Sequence, residues 1–465
     1  MDRTLKIMKI PMLVLACCAA TAANAADIVE FTAGTAAKAE EVNSNFDFVI
    51  DKIDSLNAVS GSRDREGVAD CAADANALRD MVDKGVNKIS FSGDCNGPLF
   101  PTVWTRLTGI GKDTSSISGF KDADNTYDTV VWNRSSFVEI QDTTIKAGML
   151  NTDTVLVGSE YGSEVRLKNV DVIGPNNPTD NSNCLFARQG SFRLTDVKIS
   201  ACNEAIGLTY SSFAEIREDT QGATVIENNR DWWTVSVSHG SSLRVKGGTF
   251  KGNLKTDPDD TDEAIGVQYN STIRMEGGKV EGLGIKRNSS AQLKGGEVID
   301  ILRVQKRSYA SLEKAFVMSK SGTAGVDPII KVYSSELDTN KLATQLDLSK
   351  LKARSGSKIS IEGTSIANSM TVDDLNLRQA SLSLYNQTVT SLAAQVSSGD
   401  FELENSELNI SGVFVMWGSN GWLGDGSTIR SGSYEGDDAN ECPRNIYRIG
   451  HDDTSSNSIT YPVCP

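Results

Sequence analysis

Few residues in this chain are of the kinds that do chemistry, and their spacing narrows what that chemistry is. Cutting a glycosidic bond takes two carboxyl groups, one to protonate the leaving oxygen and one to activate water. Candidate carboxylates stand in "NTD" at Asn151–Asp153 and in "DPDDTDE", the acidic run from Asp257 to Glu263. Asp257, Asp259, Asp260, Asp262 and Glu263 also offer oxygen ligands for Ca²⁺, although not at the spacing of an EF-hand loop. Calcium is the one cofactor the sequence suggests, and the competing reading of the run is a solvated loop. A zinc site has little to draw on, since the chain has two histidines, His239 and His451, and no Cys-x-x-Cys. Exposed indoles stack on sugar faces. Trp232 and Trp233 in "DWWT" are candidates, with at most one exposed if they alternate on a strand. Trp417 and Trp422, among glycines in "MWGSNGWLGDG", read instead as plugs for the last turns of the fold.

Charge and cysteine content set the compartment. With 61 acidic against 46 basic residues, the chain carries a formal net charge of −15. A nucleic-acid partner is therefore not expected, because affinity for phosphate backbones needs dense positive charge. "MDRTLKIMK", the apolar run "IPMLVLACCAATA" and the small-x-small "ANA" at Ala23–Ala25 read as a signal peptide over residues 1–25. Lipid attachment at Cys17 is the alternative, from "VLAC". No later stretch is long and apolar enough to cross a bilayer. Six cysteines then remain, and an even number in an exported chain points to disulfides. Cys71–Cys95, Cys184–Cys202 and Cys442–Cys464 are the simplest pairing by sequence proximity.

The elements that must position these residues are announced by a repeated phrase. "SSLRVKGGTFKG" begins at Ser241, "STIRMEGGKVEG" at Ser271 and "SSAQLKGGEVID" at Ser289. Each places apolar residues at a step of two, then a polar turn, then a third apolar residue: Leu243, Val245, Phe250; Ile273, Met275, Val280; Ala291, Leu293, Val298. The frame recurs from Val138–Ile145 to Phe401–Leu408, through Val165–Val172, Phe192–Ile199, Ile330–Leu337, Ile359–Ile366 and Leu382–Val389. A step of two is a strand with one buried face. One such unit cannot bury its own apolar face, but stacked units can. Hairpin signals between strands are scarce, which argues against a sandwich. The expected fold is all-β, a right-handed parallel β-helix over residues 67–430.

The ends differ. "DANALRDMVDKGVNKISFSG" reads as a short helix and a strand that would cover the open end of the solenoid. With "RLTGIGKDTSSISG" at Arg106–Gly119, this region resembles the pectin-lyase-like β-helix superfamily of exported bacterial proteins. The resemblance implies the fold and a prior for acidic polysaccharides as ligands. It implies no catalytic set. Polygalacturonase-like members carry Asn-Thr-Asp, Asp-Asp and Gly-His-Gly in that order, whereas here Asp259–Asp260 follows "SHG" at Ser238–Gly240. Before the solenoid, residues 26–66 hold Val42, Phe46, Val49, Ile53 and Leu56 at heptad spacing. Residues 37–57 are read as a helix, either trimerising or docked on the solenoid. Residues 431–465 lack the frame and read as a cap stapled by Cys442–Cys464.

The frame also designates a surface. If the first and third residues of each phrase point inward, the second and fourth point out. The second positions are Arg166, Arg193, Glu215, Arg244 and Arg274; the fourth are Lys168, Thr195, Arg217, Lys246, Glu276 and Lys294. An acidic protein would thus stack eight bases against two acids on one face. Like charges repel at rung spacing, so the stripe suggests an anionic partner; the competing reading is a solvated face, covered by loops, in which Glu215 and Glu276 relieve the strain. The expected function is binding of a polysaccharide or other cell-surface ligand by a secreted or periplasmic protein. A lyase or hydrolase acting on an acidic polysaccharide is the first alternative, and a structural surface or fibre component the second.

Overall fold

A computed structural model describes residues 65–436, together with 446–448 and 458–460. Within that span it leaves out 121–128, 135, 151–153, 176–182, 220–223, 228–232, 253–262, 314, 319–328, 340–344, 363–368 and 425. The leader, Cys17, the heptads of 37–57, Trp232, the four aspartates of 257–262 and the Cys442–Cys464 staple lie outside the described residues. The described architecture belongs to one unit, which starts at Glu66.

That unit is a parallel β-helix. One coil shows the rule. Ser242–Val245 is followed by Thr249–Lys251 and then Ile265–Val267. Each strand pairs in parallel with its counterpart one coil later: Leu243 with Ile273, Phe250 with Val280, Ile265 with Leu283. Three strands per coil make three faces around a core that runs the length of the solenoid. On the first face, Val138, Val165, Phe192, Ala214, Leu243, Ile273 and Ala291 form one inward column. On the second, Ile145, Val172, Ile199, Ile226, Phe250, Val280 and Val298 form another. All these residues are buried. Burying each large member stabilises the fold by about 1.5–3 kcal/mol relative to leaving it in water.

The phrase marks two strands of each coil and misses the third. Val157, Leu185, Ile206, Val235, Ile265 and Leu283 make the third inward column. The chain enters that face after its most variable stretches, such as 176–182 and 253–262, so its spacing from the phrase changes from coil to coil. The same cause misplaces one frame. Ile330 and Val332 belong to the third face, and the first-face strand of that coil is Glu336–Thr339.

The opening serine of each phrase is structural. The backbone N–H of Ser212 donates to the Ser241 hydroxyl at 3.1 Å, and Ser241 to Ser271 at 3.2 Å. Ser271 continues to Ser289 and Ser289 to Ser308 at 3.2 and 3.3 Å. These serines are buried at the corner between the third and first faces. The hydroxyls take backbone donors that the turn buries; the Ser241 N–H also reaches the Ser238 carbonyl at 3.3 Å.

The short helix α1 (Ala77–Asp83) buries Leu78 and Val82 in the core at the N-terminal end, as expected for a covering helix. Cys71–Cys95 and Cys184–Cys202 are disulfides, with Cα atoms 5.1 and 5.8 Å apart. Disulfides of this kind indicate an oxidising, extracytoplasmic compartment. No helix among the described residues is long and apolar enough to cross a membrane.

Candidate functional site

On the first face the outward residues form the expected column, with Arg166, Arg193, Glu215, Arg244 and Arg274 in direct register. Glu139 and Arg106 extend it toward the N-terminus. A groove of about 560 Å³ opens in this face, lined among others by Phe213, Arg244, Arg274, Gln292 and Tyr309. Small residues at Ser242, Thr272 and Ser290, one step before the arginine column, leave the space for it.

The bases of this band are interleaved with acids. Glu164 pairs with Arg166 at 2.6 Å and with Arg193 at 3.1 Å. Glu215 pairs with Lys246 at 3.1 Å and lies 3.7 Å from Arg244. Glu276 takes Arg244 at 3.0 Å and Arg274 at 2.6 Å, and Glu313 takes Lys294 at 3.6 Å. Partial burial pushes the Glu276 carboxyl up, but Arg244 and Arg274 outweigh it and hold the group below its ordinary value. Lys168 and Arg217 have no acid at ion-pairing distance among the described residues; Arg217 donates instead to the Thr195 hydroxyl at 2.9 Å. Thr195 is itself buried, against the expectation that it points out, because the Arg217 side chain closes over it. Glu164 belongs to a neighbouring outward column and Glu313 to a phrase with an incomplete frame, so the two columns read from the sequence understate the acids. Past Arg274 the arginine column becomes Gln292, Ser311, Asp338, Ser360, Ser383 and Glu402, and that column loses its positive charge.

The third face holds Trp233. Its indole lies against Gly266, where any Cβ would run into the ring, and its N–H donates to Glu263 at 2.9 Å. Glu263 is buried and also pairs with Arg303 at 2.8 Å and Lys286 at 3.0 Å. Burial alone would raise its carboxyl, but the two cations and the indole hold it below the ordinary value. Glu263 is thus engaged within the face. Trp132 repeats the arrangement over Gly158, donating to Glu160 at 3.3 Å. Between them, Glu204 has no such cation. Burial pushes its carboxyl up to about 7, against one opposing hydrogen bond from Ser236. Among the described residues no group of three or more His, Cys, Asp or Glu side chains could hold a metal ion. Trp417 is exposed, and Trp422 continues the outward column beyond Glu402, so neither ring plugs the core.

One set of residues was not legible as a site. The corner between the third and first faces turns through two successive left-handed residues just before the ladder serine: Tyr210–Ser211, His239–Gly240, Tyr269–Asn270, Arg287–Asn288 and Lys306–Arg307. Side chains at the first of these positions stack along the axis. The rings of Tyr210 and His239 are 5.0 Å apart and those of His239 and Tyr269 4.8 Å apart, both near parallel. Arg188 lies 5.3 Å from the Tyr210 ring at one end and Arg287 4.4 Å from the Tyr269 ring at the other. Tyr161, Tyr210 and Tyr269 are 57%, 49% and 38% exposed. The signal in the sequence was the pair of residues before each ladder serine, "YS", "HG", "YN", "RN" and "KR".

No family model, curated protein or solved structure matches the chain.

Proposed function

We propose that this is an exported β-helix protein of the pectin-lyase-like kind, with residues 1–25 as its leader, that binds an anionic polysaccharide along its first face without cleaving it. The observation that carries the reading is the groove where Arg244 and Arg274 stand side by side, in a protein whose net charge is −15. A sugar chain along the axis would meet guanidinium groups on successive coils, about 4.8 Å apart, over a floor of small residues. The test is binding to alginate and pectate at low and physiological salt, comparing wild type with Arg193→Ala/Arg244→Ala/Arg274→Ala. The triple variant is expected to bind several-fold more weakly. Equal binding, or binding by wild type that ignores salt, ends the reading.

A hydrolytic reading has one observation in its favour. Glu204 and Glu263 flank Trp233 in register on the third face, two coils apart. That is about 10 Å between backbones, near the separation used by inverting glycosidases. Their environments push the two carboxyls in opposite directions, as an acid and base pair requires. Release of reducing ends from alginate, pectate or a neutral glucan, lost in Glu204→Gln, would establish it. No release from any of the three sets it aside.

A further inference from the structure

The first face carries many bases and few unpaired ones. The corner beside it is the reverse. Arg188, Arg287, Lys306, Arg307 and Arg354 lie at or next to the corner turns, and four of them are exposed; Arg287 is half-buried. Among the described residues, none of the five has an acid at ion-pairing distance. The left-handed turn positions hold no Asp or Glu: they are Tyr161–Gly162, Gln189, Tyr210–Ser211, His239–Gly240, Tyr269–Asn270, Arg287–Asn288, Lys306–Arg307, Ser334 and Ser355–Gly356. Arg188, Tyr333 and Arg354 stand one residue before, in a column where Glu160, itself paired with Arg134, faces Arg188. What lies between the bases is aromatic. Arg287 rests on Tyr269 and also touches its hydroxyl, Arg188 rests on Tyr210, and Arg354 lies 5.9 Å from the Tyr333 ring.

Ring faces hold a guanidinium without cancelling its charge. Carboxylates hold it and cancel it. The corner therefore keeps its cations ordered and available, whereas the first face keeps them ordered and neutralised. The turns place Tyr210, His239, Tyr269, Arg287 and Lys306 on successive coils, so the side-chain edges present a line of O–H and N–H donors at rung spacing, about 4.8 Å. The line adjoins the groove, whose near wall is Ser242, Thr272, Ser290 and Tyr309, each a residue or so beyond a ladder serine.

We propose that this corner, from Arg188 to Arg354, is the principal anchoring site for a polyanion, and that its ligand is a carboxylated or sulfated polysaccharide lying along the solenoid axis. The inference rests on the reading of the ligand as an anionic polysaccharide and moves its main electrostatic contact from the first face to the corner. A row in which Arg287 and Lys306 stand one coil apart, with Arg188 four coils before them, Arg354 two coils after and hydrogen-bond donors between, suits an extended polymer that carries anionic groups at intervals and hydroxyls between them. It suits a membrane less well, since the stacked rings present edges and hydroxyls rather than an apolar surface that could insert.

The experiment compares the full chain with Arg188→Ala/Arg287→Ala/Lys306→Ala, with the conservative Arg188→Lys/Arg287→Lys/Lys306→Arg, and with the first-face triple variant. Ligands are alginate, dextran sulfate, neutral dextran and vesicles of phosphatidylglycerol and phosphatidylcholine. The corner alanine variant is expected to bind alginate or dextran sulfate at least about ten-fold more weakly, with an unchanged melting temperature. The conservative variant should stay within about two-fold of wild type, and the first-face variant should lose less than the corner variant. Preference between alginate and dextran sulfate tells carboxylate from sulfate. If wild type binds a polyanion and the corner alanine variant binds it equally, the corner is not the anchor, while the broader reading stands. If wild type binds vesicles but neither polyanion, both fail.

Discussion

The first face and the corner beside it run through the same coils, and each holds a line of basic side chains. On the first face the line is broken by acids from within the column and from its neighbours, so Arg244 meets both Glu215 and Glu276. At the corner the spacers are tyrosine, histidine and glycine, and Arg287 meets Tyr269. Counting bases along a column therefore does not give the potential of a surface. In a solenoid every side chain has neighbours above, below and in the adjacent columns, and those decide whether a cation is free to meet a ligand. The first face is organised as an ion-pair lattice whose members each contribute little to stability. The corner is organised around a buried hydrogen-bonded ladder that fixes where its exposed side chains point.

The largest effect should come from breaking that ladder. Ser289 accepts the Ser271 N–H and sends its own N–H to Ser308, deep in the corner. Ser289→Val removes the acceptor and leaves a buried donor unpaired, a loss of about 1–3 kcal/mol, and forces a β-branched side chain into a serine-sized space. Chemical denaturation should show a destabilisation of that order or more. A comparable change in the lattice, Arg244→Ala, should cost under about 1 kcal/mol. If the two variants are equally stable, the corner is no more constrained than the face.

Glu204 offers the second test, because it is the acid without a cation where Glu276 is the acid with two. Its carboxyl is raised from 4.5 to about 7 by burial. A folded-state value above the unfolded one means that the folded protein holds this proton more tightly. The contribution is fully present below about 4.5 and is lost as pH rises toward 7. Wild-type stability should therefore fall across that window by up to about 2–3 kcal/mol, after allowance for partial solvent access. Glu204→Gln should remove most of the slope, matching wild type at pH 4 and exceeding it at pH 8. A flat wild-type profile would mean that water reaches the group.

What the sequence made legible follows the physics of each element. The first two strands of a coil follow the repeated phrase at fixed spacing, and Leu243, Val245 and Phe250 announced themselves by alternation. The third strand follows loops of changing length, so Ile265 and Ile206 fall outside the frame, and the frame puts Ile330 on the first face although it lies on the third. The outward basic column was legible because alternation fixes its direction, and so were the two acids within it, Glu215 and Glu276, but the rest of its neutralisation was not. That depends on Glu164 and Glu313, which lie outside the aligned positions. The corner was hidden for another reason. Tyrosine and arginine rarely adopt left-handed backbone, so "YN" and "RN" look like ordinary loop residues until the buried serine after them is seen to set the turn. The serines themselves stood at the head of each quoted phrase, where polarity alone marked them as boundaries.

The smallest effect is the most direct probe of the comparison. If the first face is electrostatically quiet because its acids cancel its bases, removing one acid should wake it. Glu276 is the best choice, since among the described residues it alone holds both Arg244 and Arg274, the two groove arginines. Glu276→Gln keeps the shape and one acceptor oxygen while releasing the charge. The pair energies are those of partly exposed groups, so stability should change by less than about 1 kcal/mol. Binding to alginate at low salt should tighten, by roughly two- to five-fold, and the gain should shrink at physiological salt as screening sets in. The same substitution added to the corner alanine variant should restore part of what that variant lost, because the freed arginines stand one column from the corner. Unchanged or weaker binding in Glu276→Gln would show that the lattice, rather than its cations, is what the ligand meets.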